Sequence, residues 1–356
     1  MRVACITDIH FGVRGDSVNF LDYYEKFYKD TFFPKLKKEG ITTLLILGDT
    51  FETRKTINFN TLHRTKKMFF DVLKDMDIKV HMLVGNHDAH FKNILEVNSI
   101  ELLLSEYLNI NAISKPTTIN VDGIPICMIP WICQDNEEYS LAEMKNTKAK
   151  YCMGHFEIAG FAMHRGMESE EGLTQASFQK FSAVFSGHYH HKSSKGNITY
   201  LGNPAQTTWS DYGDVRGFHI FDLKSEQLDF VKNPNTMFHK IVYDDAKTTL
   251  QELSLVDVSQ YTGTYVKVLV EAKNNPVAFD QFLSRLYGVN PLDVALVEDG
   301  IDLTEVLEDD IIDEAEDTVF IISKFIDAMI VDGIDNSRAK SNMRELYMEA
   351  LQQEKS

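Results

Sequence analysis

Apolar positions in the first hundred residues follow two alternating rhythms. Three short β-branched runs, "RVACITD" (2–8), "TTLLILGD" (42–49) and "KVHMLVGN" (79–86), each end in polar residues or glycine, as buried strands do. Between them the apolar residues recur every three or four positions. Phe20, Tyr24, Phe27, Tyr28 and Phe32 form one stripe within 17–39, and Leu62, Met68, Phe69, Val72 and Leu73 form another within 60–76. The spacing predicts two amphipathic helices, the first kinked or ended at Pro34, whose ring removes a backbone donor. A β-α-β-α-β order implies a largely parallel sheet.

The rhythm shortens after residue 115. "TTINVDG" and "IPICMIPW" flank an Asp-Gly turn and predict a β-hairpin. Further strands are expected at 149–154, 182–187, 198–202 and 217–222, which places the end of a mixed α/β unit near residue 235. Residues 236–298 read as a second, smaller unit of strands around the helix "PVAFDQFLSRLYG". A linker over 299–317 and two helical patterns over 318–356, parted by "DGIDNS", complete the chain. Gly333 suits the end of the first helix, and Asp335 or Asn336 the cap of the second. Such a helix pair has no core of its own and is expected to dock on something else.

Composition narrows the class. An apolar fraction of 44% with 25% charged residues is ordinary for a globular protein with a sizeable core. The start of the chain shows no secretory signal, and no apolar run approaches the 18 or so residues of a membrane span. Cys5, Cys127, Cys133 and Cys152 form no CxxC pair and read as small buried hydrophobes in a reducing compartment, the cytoplasm. A net charge of −17 argues at first against nucleic acid. Residues 291–323, however, hold 12 Asp and Glu and no Lys or Arg, so −17 + 12 leaves −5 for the rest. Bound divalent ions would shift that remainder further, so a polyanionic substrate is not excluded.

The candidate chemistry sits after the strands. "TDIH" puts Asp8 and His10 behind the first, "LGDTF" puts Asp49 behind the second, and "VGNHDAH" puts Asn86, His87 and Asp88 behind the third. "MGHFE" supplies His155, and "FSGHYHHKSS" (185–194) supplies His188 and His190, which would share a face if they lay on a strand end. Ligands of open α/β sheets bind at the carboxyl ends of strands. A glycine precedes the key residue in four of the five motifs (Gly48, Gly85, Gly154, Gly187), read here as the freedom for a sharp turn. Mixed Asp, Asn and His donors suit borderline-hard divalent ions such as Mn²⁺, Fe²⁺ or Zn²⁺. Asp49 is the best candidate to bridge two of them for attack on a phosphoester. His63, His81, His90, His164, His219 and His239 lack motif support and read as ordinary polar or core histidines.

These motifs resemble the calcineurin-like metallophosphoesterase superfamily, with its D-x-H, G-D, G-N-H-D, G-H and G-H-x-H in this order, over residues 8–190. The resemblance implies an α/β fold: a metallophosphoesterase mixed β-sandwich flanked by helices, with a small α+β capping domain and a C-terminal helix pair. It implies Asp8, His10, Asp49 and His190 around one ion and Asp49, Asn86, His155 and His188 around the other. His87 is implied as the non-ligand catalytic histidine with Asp88 behind it, and His191 as a spectator.

"TDIHFG", "GDTFETRK", "IPW" and "YLGNPAQTTW…VRGF" further resemble the SbcD-like nucleases, although Asn203 stands where a small hydroxyl residue is common. That resemblance implies a nuclease domain over 1–235, a capping, DNA-binding domain over 236–298, an acidic linker over 299–317 and a partner-docking segment over 318–356. It further implies two divalent ions, Mn²⁺ in the first place with Mg²⁺, Fe²⁺ or Zn²⁺ as substitutes. The expected activities are 3′-to-5′ duplex exonuclease and single-strand endonuclease, in a homodimer working with an SbcC-like coiled-coil ATPase in DNA recombination and repair. Candidate phosphate contacts are Arg14, Arg54, Lys55, Lys92, Lys195 and Arg216. The compact layout resembles a bacteriophage recombination nuclease subunit, placed in the host cytoplasm. The alternative is another dinuclear metallophosphoesterase, acting on protein phosphate or nucleotides.

Overall fold

The computed structural model describes residues 1–298 apart from 165–166 and 170–171. The expected linker and helix pair over 299–356 lie outside the described residues. Seventeen strands are seen among them: β1 (Arg2–Ile6), β2 (Thr43–Ile46), β3 (Lys79–Leu83), β4 (Ile110–Ile113), β5 (Thr117–Val121), β6 (Ile124–Ile129), β7 (Tyr151–His155), β8 (Ala162–His164), β9 (Met167–Glu168), β10 (Ala183–Gly187), β11 (Ser193–Lys195), β12 (Ile198–Tyr200), β13 (Gly217–Asp222), β14 (Leu228–Lys232), β15 (Phe238–Asp244), β16 (Tyr265–Ala272) and β17 (Asp293–Glu298). Two six-stranded sheets run β14-β13-β1-β2-β3-β4 and β11-β12-β10-β7-β6-β5, each mixed. β1 to β4 pair in parallel, as do β6, β7, β10 and β12, while β13 and β5 join antiparallel to β1 and β6.

The period-two alternation of each strand explains how the layers stack. Val3, Cys5, Leu45 and Leu83 of the first sheet meet Ile126, Met128, Tyr151, Met153 and Phe185 of the second in one buried layer. The alternate residues Ala4, Ile6, Leu44, Ile46, Val80 and Met82 face the aromatic stripe Phe20, Tyr24, Phe27, Tyr28 and Phe32 of the flanking helices. The other face of the second sheet (Cys127, Cys152, Val184) packs on Phe156, Phe178 and Phe181. All four cysteines are buried and free.

The first helical stretch departs from expectation at Pro34. It runs Val18–Phe27, widens into a π-helical turn over Tyr28–Phe32, and continues as Phe33–Glu39. The Phe33 N–H reaches Tyr28 O, five residues back, so the ladder is already re-spaced where Pro34 lacks its donor. The expected hairpin is β5–β6, turning through Asp122 and Gly123, both at positive φ. The strands without a sequence signal include β4, β14 and β11, each at the edge of a sheet.

β15, β16 and β17 form a three-stranded parallel sheet whose inner face (Val266, Val268, Tyr243) packs on Phe279, Phe282 and Leu286 of the helix Pro276–Gly288. It joins the sandwich through Phe238 and Tyr265, both packed on Phe20, and through the Gln206 carboxamide, which accepts from the Met237 and Phe238 amides at 2.9 and 3.2 Å.

Candidate metal centre

The loops that leave β1 and β2 are zipped together. Asp8 N–H donates to Gly48 O (3.1 Å), His10 N–H to Asp49 O (3.1 Å) and Phe11 N–H to Thr50 O (2.9 Å). Asp8, His10 and Asp49 all sit at positive φ, near +50°, and His188 at +87°. Non-glycine residues rarely adopt this conformation; it costs of order 1–3 kcal/mol each and clusters where function demands it.

Three groups of donor atoms result, each within 4.8 Å of one another: Asp8, His10 and His190; Asp49, His155 and His188; and His10, Glu52 and His87. Asn86 joins the second, its Oδ1 lying 2.9 Å from His155 Nε2 and 3.2 Å from His188 Nδ1. Asp49 Oδ2 stands between the groups, 3.1 Å from His155 Nε2 and 4.0 Å from His10 Nε2. The strand-end placement suggested by their spacing does not hold for His188 and His190: β10 ends at Gly187 and the two rings are aimed by the loop that follows. The left-handed turn at His188 lets its N–H donate to the Asp8 carboxylate at 2.9 Å, and the Trp131 indole lies 4.9 Å from its ring.

The ring partners fix the tautomers. His155 Nδ1 lies 2.7 Å from Leu47 O, and a carbonyl accepts only, so the proton stays on Nδ1 and Nε2 is left as a ligand. His10 Nδ1 is 2.6 Å from Glu52 Oε2, which frees Nε2 in the same way. His10 Nε2 and His190 Nε2 then face each other at 3.1 Å. Two ring nitrogens converging on one point beside buried carboxylates fit a divalent cation, and the oxygen and nitrogen donor set suits a borderline-hard one. Electrostatics points the same way. Burial alone would lower the His10 pKa, but the charge and hydrogen bond of Glu52, with Asp49 and Asp8, raise it to about 10. Burial is likewise overcome at His155, where Asp49 raises the pKa to about 9. Burial opposes ionisation of Asp49, yet His155 and His87 hold it well below the usual carboxylate range. Glu52 and Asp49 thus favour the protonated forms of His10 and His155.

Two assigned positions behave otherwise than the resemblance implied. The Asp88 carboxylate accepts from the amides of Gly85 (3.0 Å), Thr50 (3.1 Å) and Phe51 (3.2 Å) and from Ser99 Oγ (3.3 Å). It ties the β2 and β3 loops together and does not stand behind the His87 ring, whose Nδ1 lies 2.7 Å from the Glu52 carbonyl. Arg216, read as a phosphate contact, is buried and bonded to Asp211, Asn203 and the His190 carbonyl. Of the other cations, Lys55 and Lys92 are exposed and Arg14 and Arg54 half-buried. Arg14 Nε donates to Thr207 O at 2.8 Å, and the exposed Lys195 bonds the Gly160 carbonyl.

The glycines also play a different part. Gly48 has φ +99°, but Gly85, Gly154 and Gly187 do not need the left-handed region. They are required by close approach: a Cβ would lie 2.1 Å from Asp49 Oδ1 at Gly85, 2.1 Å from the Phe156 ring at Gly154, and 2.0 Å from Thr7 Oγ1 at Gly187. Glu52 was missed altogether, although it lies three residues after Asp49 within "GDTFETRK".

A two-sheet sandwich with acids and histidines at the ends of its strands defines a metal-dependent phosphoesterase, and the chain belongs to the calcineurin-like phosphoesterase family, whose model matches residues 1–192. It is 32% identical over 362 residues to exonuclease subunit 1 of Enterobacteria phage T4, covering 99% of this chain and all of that one. It is 23% identical over 265 residues to the SbcD subunit of the nuclease SbcCD of Staphylococcus epidermidis, covering 64% and 67% of the two chains. An archaeal phosphodiesterase structure superposes over 65% of this chain with a TM-score of 0.34 at 10% identity, too loose a likeness to argue from. No helix among the described residues is long and apolar enough to cross a membrane.

Proposed function

We propose that this chain is the nuclease subunit of a DNA end-processing complex, cleaving phosphodiesters as a 3′-to-5′ duplex exonuclease and a single-strand endonuclease. The observation that carries the reading is the end-to-end similarity to a phage exonuclease subunit in a chain whose metal-binding motifs are all present. Asp8, His10, Asp49 and His190 would hold one ion and Asp49, Asn86, His155 and His188 the other, with Mn²⁺ the expected metal. When bound, the two ions supply phosphate polarisation and an activated water for in-line attack. The protein's own part is positional and protonic. His87, with Nδ1–H given to the Glu52 carbonyl, orients the phosphate and, as the doubly protonated imidazolium, hands its Nε2 proton to the leaving oxygen, ending as the Nδ1–H neutral ring. Lys55 and Lys92, exposed beside the Asp49 and Asp88 loops, together with Arg14 and Arg54, steer the backbone phosphates.

Similarity to the SbcD component of SbcCD supports the remaining organisation proposed here. Residues 236–298 act as a capping, DNA-binding domain, residues 318–356 dock an SbcC-like coiled-coil ATPase, and the protein works as a homodimer in the host cytoplasm. The test is hydrolysis of end-labelled linear duplex DNA with Mn²⁺, with Mg²⁺ and with chelator, each beside His87→Ala. The variant should bind metal and fold normally while losing activity by at least about 100-fold, the scale of general acid–base catalysis. Loss of metal in that variant would remove His87 from its role. Hydrolysis of small phosphoesters with none of DNA would turn the reading to a nucleotide or protein-phosphate enzyme.

A further inference from the structure

His190 is held through its main-chain carbonyl by a buried side chain. Its carbonyl accepts from the Arg216 guanidinium and from the Asn203 amide (3.2 Å), and a Cβ on Gly202 would come within 2.8 Å of the same oxygen. Arg216 is itself immobilised. It is buried, pairs with Asp211, bonds Asn203 Oδ1, and lies 3.3 Å from Asp214, which in turn holds His191. Asp211 is fixed by the Thr207 and Thr208 amides at 2.6 and 3.1 Å, and the Arg216 carbonyl by the Asn233 amide at 2.7 Å. A buried guanidinium could have been neutralised by Asp211 alone. Spending one arm on the main chain of a residue whose ring faces His10 Nε2 at 3.1 Å gives it a further consequence.

We propose that Arg216 is a positioning residue for the metal site, setting the His190 imidazole by gripping its carbonyl from the loop before β13. His191 and Asp214 belong to the same device, which makes His191 part of the support and not a spectator. The proposal rests on His190 being a metal ligand, and the experiment separates the two. Mn²⁺ binding to the full chain is titrated for wild type, His190→Ala, Arg216→Lys and the double variant. Arg216→Lys keeps a cation for Asp211 but not the planar fork. It should weaken one of two ions by between about 10- and 100-fold, the usual cost of losing support behind a ligand, and leave the other unchanged. His190→Ala should weaken the same ion, and the double variant should be no weaker than His190→Ala alone. Wild-type binding in Arg216→Lys, equal weakening of both ions, or a loss that adds to His190→Ala would overturn the positioning role. Unchanged binding in His190→Ala would instead remove the ligand assignment, and the proposal with it. If Arg216→Lys does not fold, Asp214→Asn tests the device from its solvent side: weakening of that same ion supports it, and wild-type binding overturns it.

Discussion

Gly85→Ala isolates the steric logic of the metal centre in one methyl group. Gly85 has an ordinary backbone conformation, so alanine brings no left-handed strain there. Its Cβ, however, would lie 2.1 Å from Asp49 Oδ1 and 2.4 Å from the Asp49 amide nitrogen. Ordinary contact begins at 3.4 Å, so 3.4 − 2.1 requires the carboxylate oxygen to retreat by about 1.3 Å. A shift of the side chain alone is insufficient, because the second clash is with main chain. That main chain also carries the His10 N–H to Asp49 O bond, so the β1 loop must move as well. A displacement of about 1 Å at a reacting centre costs roughly 100-fold in rate. Overpacking of this kind costs about 1–3 kcal/mol of stability. The expected result is a folded protein of lowered Tm, Mn²⁺ affinity weakened for both ions if Asp49 bridges them as proposed, and hydrolysis down by about 100-fold or more. Gly288→Ala is the control: nothing lies within 4 Å of its Cβ, so it should match wild type. Wild-type affinity and rate in Gly85→Ala would refute the bridging geometry, whatever its effect on Tm.

The other expectations are narrower. Glu52→Ala should weaken Mn²⁺ binding by about 10- to 100-fold by releasing His10 Nδ1, while Glu52→Gln, which keeps an accepting oxygen, should weaken it less; equal effects in calorimetric titration would remove the orienting role. Adding Mn²⁺ to metal-free protein at pH 7.5 should release about two protons, since His10 (pKa about 10) and His155 (about 9) must both give up a proton to ligate; an indicator dye in weak buffer measures it, and no release would contradict the raised values. His219 in β13 is buried and its pKa is pushed down to about 3, by burial first and by Lys192 second. The unfolded chain therefore takes a proton below pH 6.5 that the folded one refuses, so stability falls with falling pH, by about 2 kcal/mol at pH 5. His219→Phe should flatten urea-unfolding stability between pH 7.5 and 5 by about that amount, and an unchanged slope would refute the assignment.

What chain spacing reveals here is local, and the limits of the reading follow from that. The strands β1, β2, β3, β7 and β10 were legible because both of their faces are buried, which leaves continuous apolar runs. β4, β14 and β11 lie at sheet edges with half-exposed faces, and nothing in "INAI", "LDFVK" or "SSK" marks them apart from loop. The same distinction governs the site. Asp8, His10, Asp49, Asn86, His155, His188 and His190 announce themselves because they fall in five short motifs at the ends of five strands. Glu52, Arg216 and Asp214 act on partners that the fold alone brings near: Glu52 on His10 42 positions earlier, and Arg216 on His190 26 positions earlier. Their chemistry is ordinary for loop residues, so sequence alone reads Arg216 as a phosphate contact and passes over Glu52 and Asp214. Glycine shows the difference most sharply. Before Asp49 it serves a left-handed turn and also clears the His155 ring, where a Cβ would lie 2.4 Å from Nδ1; at Gly85 and Gly187 it clears a neighbour from another strand loop, and at Gly154 the Phe156 ring two residues on. Two of these crossings, Gly85 against Asp49 and Gly187 against Thr7 and Asp8, close only because the glycine carries no Cβ. The motif glycines are packing constraints on the candidate metal centre as much as turn formers.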